Sequence, residues 1–165
     1  MSEEATAALV TQVAQALSLR GWMMATAESC TGGLIAARCT DLAGSSAWFE
    51  RGFITYSNEA KSELLGVAVQ DLAQYGAVSA QVAQAMAEGA LQHSHAQVAV
   101  AVTGIAGPGG AVPGKPVGTV WFGFMVDGRL SSEMRRFEGD RAAVRGATVA
   151  HALHRLVGLL EDAGH

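Results

Sequence analysis

Charged residues are scarce in this sequence, and basic residues are scarcer than acidic ones. Only 16% of the 165 residues are charged, and 11 Lys and Arg stand against 15 Asp and Glu, which gives a formal net charge of -4. The Lys and Arg residues are scattered and form no basic run. Because binding to a phosphate backbone needs clustered positive charge, we expect no nucleic acid among the partners of this protein.

Cysteine is almost absent as well. Cys30 and Cys39 are the only two cysteines, too few for a disulfide framework or a four-cysteine zinc site. The internal histidines are His93, His95, His151 and His154. They have no carboxylate or cysteine at metal-ligand spacing. The sequence therefore predicts no metal site, and a reducing, cytoplasmic environment.

Long apolar runs are missing too. The longest ones fall well short of the ~20 residues that a membrane span requires, and residues 1–20 lack the basic start and small-residue cleavage site of a secretory signal. Half of the residues are nevertheless hydrophobic, which favours a compact body with a rather apolar surface. We expect a protein that makes no contact with membranes and forms a homo-oligomer, with a dimer favoured.

Hydrophobic periodicity alternates between helices and strands along the chain. Strands are predicted at 22–27, 52–56, 98–102, 117–126 and 130–137, and helices are predicted to begin near residues 5, 34, 57, 79 and 140. In the second helix, Leu34, Ile35 and the stem of Arg38 should face inward. Asp127-Gly128 favours the type I′ turn of a hairpin. The pattern predicts an α/β fold with one domain over residues 1–165, an α/β/α sandwich with a mixed, mainly parallel sheet and a C-terminal antiparallel hairpin.

A strand leads into a helix at Ala27-Glu28-Ser29-Cys30-Thr31-Gly32-Gly33. A serine in such a turn is exposed, the glycines let a substrate approach, and free N–H groups at the helix start can hold an oxyanion. The same residues are also good helix-capping chemistry, so the residues alone leave both interpretations open. Cys30 is a second candidate nucleophile, although the sequence favours a small apolar side chain that points into the core.

A serine nucleophile needs a base, and Lys61 is the candidate. Its segment follows a predicted strand end, and strand ends of an α/β sheet converge on one crevice. Burial lowers the pKa of a lysine, so that a neutral amine can accept a proton. The alternative is a solvated helix lysine paired with Glu59 or Glu63, because lysines are seldom buried.

Two further features offer anion binding. Residues 103–110 form a loop rich in glycine whose N–H groups can cradle a phosphate, although a plain surface loop has the same composition. The loop matches neither a Walker motif nor a dinucleotide-binding fingerprint. Arg141 and Arg145 lie one helical turn apart and can clamp an anion, or simply form an exposed charged face.

Six blocks in this order resemble the CinA C-terminal domain family, and they lie at residues 26–33, 43–49, 52–61, 75–79, 103–108 and 115–120. The resemblance spans essentially the whole chain and implies the stand-alone form, without the larger N-terminal domain of two-domain members. It implies nicotinamide-nucleotide amidohydrolysis, in which nicotinamide mononucleotide (NMN) and water give nicotinate mononucleotide and ammonia. This reaction salvages pyridine nucleotides for NAD synthesis.

The resemblance also implies the roles of individual residues, with no metal and no organic cofactor. Ser29 is the implied nucleophile and Lys61 its general base. The residues implied around the substrate or oxyanion are Thr31, Gly32, Gly33, Tyr56, Thr103, Gly104 and Arg145. The chain departs from the family pattern at 109–114, where Ala111 and Val112 replace a stretch that is often more polar.

Three other functions compete with this hypothesis. A different amidase or ester hydrolase would use the same serine. A non-catalytic nucleotide-binding or interaction module linked to competence or DNA damage would need no nucleophile. A metal-dependent hydrolase would lose its activity in the presence of a chelator.

Overall fold

Helices and strands alternate through residues 2–163, the part of the chain that the computed structural model describes. His165 lies outside it. The helices are α1 (Glu3–Arg20), α2 (Leu34–Thr40), α3 (Asn58–Leu65), α4 (Val69–Tyr75), α5 (Ala80–Gln92) and α6 (Arg141–Asp162). The strands are β1 (Met24–Glu28), β2 (Phe49–Ile54), β3 (Val98–Gly104), β4 (Thr119–Val126) and β5 (Arg129–Arg136).

The strands form one sheet in the order β2-β1-β3-β4-β5. Strand β1 is parallel to both β2 and β3, whereas β4 is antiparallel to both β3 and β5. Only β4 therefore runs against the other four strands of this sheet, and the predicted mixed, mainly parallel sheet is confirmed. The β4–β5 connection is the predicted tight hairpin, with a φ of 54° at Asp127 and 72° at Gly128, the positive values that a type I′ turn requires.

Helices cover both faces of the sheet. Alternate strand residues point to opposite faces, so Met24 joins a core with Leu17 of α1 and Leu153 of α6, whereas Ala25 joins a second core with Met86 of α5. Small alanines on the second face let α5 approach the sheet closely. The predicted α/β/α sandwich is confirmed.

Two local predictions were wrong. Strand β2 begins at Phe49, three residues before the predicted start, and α4 has no counterpart in the predicted elements. In α2, Cys39 is fully buried, and the half-buried Arg38 pairs with Asp41 at 2.7 Å on the surface. Among the described residues, none of the helices combines the length and apolarity that a membrane crossing requires.

Gly123 sets the closest contact between the sheet and α5. A Cβ at this position would lie 2.2 Å from the carbonyl oxygen of Ala83, and backbone cannot move aside cheaply. We expect Gly123→Ala to lower the free energy of unfolding by about 1–3 kcal/mol, the usual effect of overpacking. Urea denaturation measures this change.

Gly146→Ala is the matched control. Gly146 lies inside α6 with nothing within 4 Å of its Cβ position, so alanine should raise the free energy of unfolding by about 0.5–1 kcal/mol. Equal stability of the two variants would contradict the close approach of α5 to β4.

Candidate active site

Ser29 lies directly after the last residue of β1. Its main-chain N–H donates to the carbonyl oxygen of Val102 in β3 at 3.1 Å, which ties the residue to the centre of the sheet. The turn then passes through Gly33, whose φ of 103° lies in the left-handed region and whose Cβ position is 2.9 Å from Cδ1 of Ile54. Glycine is therefore favoured there by conformation, whereas the terminal methyl of the exposed Ile54 side chain could move aside.

Lys61 reaches Ser29 from α3. Ser57 caps this helix by accepting the N–H of Ala60 at 3.0 Å, which sets the position of Lys61 one turn further on. The lysine is 1% exposed, and its Nζ lies 2.9 Å from the Ser29 hydroxyl oxygen. The interpretation of Lys61 as a solvated lysine paired with Glu59 or Glu63 is wrong, because its amine is buried against the sheet.

The remaining contacts of the Lys61 amine are two carbonyl oxygens. Nζ lies 2.9 Å from the oxygen of Thr55 and 3.1 Å from that of Tyr56, and no carboxylate within residues 2–163 forms an ion pair with it. Burial lowers the pKa of Lys61 below its ordinary value, because desolvation disfavours the charged form. As an ammonium, Lys61 donates to all three oxygens. In its neutral form it would keep two N–H donors for the carbonyls and have one lone pair to accept the proton of the Ser29 hydroxyl.

A cleft of about 190 Å³ opens above Ser29. Its lining residues are Ser29, Cys30, Tyr56, Gly104, Ile105, Ala106, Gly107, Gly109, Gly110 and Arg141. Arg141 is the one cationic residue of this lining. Its guanidinium donates to the carbonyl oxygen of Gly107 at 2.9 Å and to the Tyr56 hydroxyl at 3.1 Å, so it joins the two walls of the cleft. Tyr56 is 62% exposed and accessible to a ligand.

The glycine-rich loop supplies free amides to this cleft. The main-chain N–H groups of Gly107, Gly109 and Gly110 have no protein acceptor in the described part of the chain. These three residues and Arg141 all line the cleft, and main-chain amides together with a guanidinium suit an anion. The predicted phosphate-cradling role of the loop is compatible with this arrangement.

Two residues implied around the substrate, Thr103 and Arg145, bind main-chain carbonyls beside the cleft. The Thr103 hydroxyl is buried and donates to the carbonyl oxygen of Ala77 at 2.9 Å. Arg145 donates from Nε to the carbonyl oxygen of Cys30 at 3.2 Å and from its terminal nitrogen to that of Thr31 at 3.0 Å. Both side chains therefore hold main-chain segments around the cleft and are absent from its lining. Gly104 does line it.

The N–H groups at the start of α2 differ in whether they already donate to a protein acceptor. The N–H of Gly32 donates to the carbonyl oxygen of Ser29 at 3.1 Å, and the first amides of α2, at Ile35 and Ala36, donate to the Glu28 carboxylate. These three N–H groups already donate to protein oxygens and are not free to bind an oxyanion. Of the predicted span, the N–H groups of Thr31 and Gly33 remain without a protein acceptor among residues 2–163.

Sequence reasoning missed Glu28. Its carboxylate is 1% exposed and accepts the Thr31 hydroxyl at 2.6 Å. An acidic residue at the end of an otherwise apolar strand was the available signal, because a buried carboxylate needs several donors and a helix N-terminus supplies them.

Cys30 behaves as a packing residue. Its side chain is 5% exposed and belongs to the core that includes Ile35. Burial raises the pKa of the Cys30 thiol to about 11, which keeps it neutral, and a neutral thiol is a poor nucleophile. Within the described range, His, Cys, Asp and Glu side chains form no group of three or more that could hold a metal ion.

The chain is similar to several known proteins along most of its length. A family model described as CinA C-terminal domain matches residues 6–160. A protein of Enterobacter agglomerans named nicotinamide-nucleotide amidohydrolase PncC is 58% identical over 146 residues, or 88% of this chain and 89% of that protein. The Escherichia coli K12 protein of the same name is 53% identical over 157 residues, covering 94% and 95%. A crystal structure of a CinA superfamily protein from Klebsiella pneumoniae matches with a TM-score of 0.92 at 41% identity, covering 95% of this chain and 98% of that one.

Proposed function

The chain belongs to the CinA C-terminal domain family, and from that premise we propose that it is an amidohydrolase that converts NMN and water to nicotinate mononucleotide and ammonia. Relatives with more than half of their residues identical carry the name nicotinamide-nucleotide amidohydrolase. The observation that carries the mechanism is the buried Lys61 amine, 2.9 Å from the Ser29 hydroxyl with carbonyl oxygens as its other partners.

The first half of the reaction forms an acyl-enzyme. Lys61 accepts the Ser29 proton, and the hydroxyl oxygen attacks the carboxamide carbon of NMN. The N–H groups of Thr31 and Gly33 stabilise the negative oxygen of the tetrahedral intermediate. The Lys61 ammonium then returns its proton to the departing amide nitrogen, so that ammonia leaves and a nicotinoyl ester remains on Ser29.

The second half hydrolyses this ester. Lys61 accepts a proton from a water molecule, whose oxygen attacks the ester carbon. As the bond to Ser29 breaks, Lys61 returns the proton to the serine oxygen. Nicotinate mononucleotide leaves, and the serine and the neutral amine are restored without a metal or an organic cofactor. We assign this activity to a cytoplasmic homo-oligomer in pyridine-nucleotide salvage.

Ammonia release tests the function directly. Purified protein incubated with NMN should release ammonia and nicotinate mononucleotide in equal amounts, and a chelator should leave the rate unchanged because no metal-bound water takes part. A panel of nicotinamide, nicotinamide riboside and simple amides separates this enzyme from a general amidase. Binding of NMN without turnover would favour the non-catalytic module, and recovery of activity with added zinc would favour the metal hydrolase.

Arg141 should recognise the phosphate of NMN. It is the cation in the lining of the cleft and lies beside the free amides of Gly109 and Gly110. We expect Arg141→Ala to raise KM for NMN about 10-fold or more, since a hydrogen bond between charged groups contributes about 1.5–3 kcal/mol. The same variant should leave KM for nicotinamide riboside, which lacks the phosphate, nearly unchanged.

Arg135→Ala is the matched control, because Arg135 lies on β5 and is 59% exposed, with a distant partner in Glu133 at 3.9 Å. Steady-state kinetics on both substrates checks the assignment. An equal rise in KM for NMN and the riboside would contradict it.

A further inference from the structure

The carboxylate of Glu28 is buried beside the nucleophile, yet the proposed proton transfers do not use it. Its four donors are the Thr31 hydroxyl at 2.6 Å, the Ile35 N–H at 2.8 Å, the Ala36 N–H at 3.0 Å and the Thr26 hydroxyl at 3.2 Å. No Lys, Arg or His within residues 2–163 pairs with it. Hydrogen bonds alone therefore stabilise this carboxylate, which is an arrangement that only a precise set of donors can provide.

These contacts enclose the turn that carries Ser29. Glu28 ends β1, whereas Ile35 and Ala36 belong to the first turn of α2, so the side chain spans the turn from one end to the other. Its Oε1 also holds Thr31 inside the turn. The turn contains left-handed glycines at Gly32 and Gly33, which restrict the backbone least of all residues. The carboxylate supplies the restraint that these glycines do not.

The main chain of Glu28 is also connected to Lys61, through Thr55. The carbonyl oxygen of Glu28 accepts the N–H of Thr55 at 2.9 Å, and Thr55 in turn provides a carbonyl to the Lys61 amine. Glu28 is thus linked by hydrogen bonds to the segments that carry Ser29 and Lys61, the two residues of the proposed catalytic dyad. The main-chain hydrogen bond to Thr55 does not depend on the side chain. A substitution of Glu28 therefore affects mainly the turn that carries Ser29 and Thr31.

We propose that Glu28 is a positioning residue, whose carboxylate holds Thr31 and thereby fixes the Ser29 hydroxyl and the Thr31 N–H in the geometry of attack. This inference rests on the proposed Ser29 chemistry. Misplacing a reacting group by about 1 Å can lower a rate about 10²-fold. Loss of the hydrogen bonds to the Glu28 carboxylate should therefore affect turnover far more than substrate binding.

Glu28→Gln tests the positioning role of the carboxylate with a side chain of almost the same volume. All four partners are donors, and the amide group of glutamine would point an NH₂ at one pair of them. We expect kcat for NMN to fall by about 10- to 100-fold, with KM within a few-fold of the wild-type value. The rate at which a fluorophosphonate probe labels Ser29, followed by intact mass, should fall by a similar factor.

Two threonine variants keep the test decisive if Glu28→Gln does not fold. Thr31→Val and Thr26→Val each remove one hydroxyl from the same carboxylate, but only Thr31 belongs to the turn. Thr31→Val should lower both kcat and the labelling rate, and Thr26→Val should lower mainly the denaturation midpoint. Equal effects of the two threonine variants on kcat would overturn the positioning role. So would a folded Glu28→Gln with wild-type rates.

Probe labelling separates this proposal from the proposed function. If wild-type protein labels at Ser29 but releases no ammonia from NMN, the substrate assignment fails and the labelling rates of the variants still decide the role of Glu28. If wild-type Ser29 does not label at all, there is no activated nucleophile to position, and the proposal is overturned.

Discussion

The Lys61→Arg variant should be nearly as inactive as Lys61→Ala, with kcat for NMN lowered about 10²- to 10⁴-fold, the range of general acid–base catalysis. Arginine keeps the positive charge and the length of the side chain, but it does not give up its proton in a protein. It therefore cannot accept the proton of Ser29. Ammonia release under saturating NMN measures the loss.

Lys115→Arg is the matched control, because Lys115 is the one other lysine of the chain. Its amine donates to the carbonyl oxygen of Tyr75 at 2.6 Å, a contact that arginine can replace, so the activity should stay within a few-fold of wild type. An active Lys61→Arg enzyme would remove the dyad from the mechanism.

The pH profile of the wild-type enzyme gives an independent check of the same prediction. The base must be neutral, so kcat/KM should rise with pH as Lys61 loses its proton. Burial lowers the pKa of Lys61, which places this rise below the ordinary lysine value of ~10.4. A rise centred at or above that value would mean that the amine is solvated during catalysis.

Ser29→Ala should abolish deamidation, with kcat lowered by at least about 10⁴-fold, because removal of a covalent nucleophile leaves only binding and oxyanion stabilisation. The fold should persist, since the side chain makes one hydrogen bond, with Lys61. Circular dichroism and an ammonia assay on the same preparation measure both properties.

Cys30→Ala is the companion variant. The neutral thiol packs in the core and takes no part in the proposed chemistry, so most of the activity should remain while stability falls. If Cys30→Ala loses as much activity as Ser29→Ala in a folded protein, the nucleophile is the thiol.

Sequence patterns predict those parts of this molecule that depend on short-range order. The turn after β1, the cap at Ser57 and the unbroken run of β3 are local, and they make Lys61 a candidate base for Ser29. The residues alone leave the solvated-lysine alternative open, and the family resemblance is what implies that the two side chains meet. Helix α4 was missed because its seven residues contain a single buried one, Leu72, and so give no periodic signal.

The partners of individual side chains were harder to predict. Thr103 and Arg145 donate to main-chain carbonyls that sequence spacing does not locate, and their place around a substrate stays a prediction. The position of Glu28 at the end of a largely apolar strand indicates a buried carboxylate, but the sequence does not identify the four donors that this carboxylate accepts. Such contacts depend on the distances between β1, α2 and α6, which only the folded chain defines.

Among residues 2–163, no carboxylate pairs with the buried Lys61 amine, and this burial also links folding to proton binding. In the unfolded chain the amine keeps its ordinary pKa near ~10.4, whereas in the folded protein the pKa is lowered. Between these two values the unfolded chain binds more protons, so the free energy of unfolding should rise as the pH rises through this window. In the proposed mechanism, this loss of stability near neutral pH accompanies the availability of Lys61 as a base. Lys61→Met, which cannot bind a proton, should lose this part of the pH dependence together with the activity.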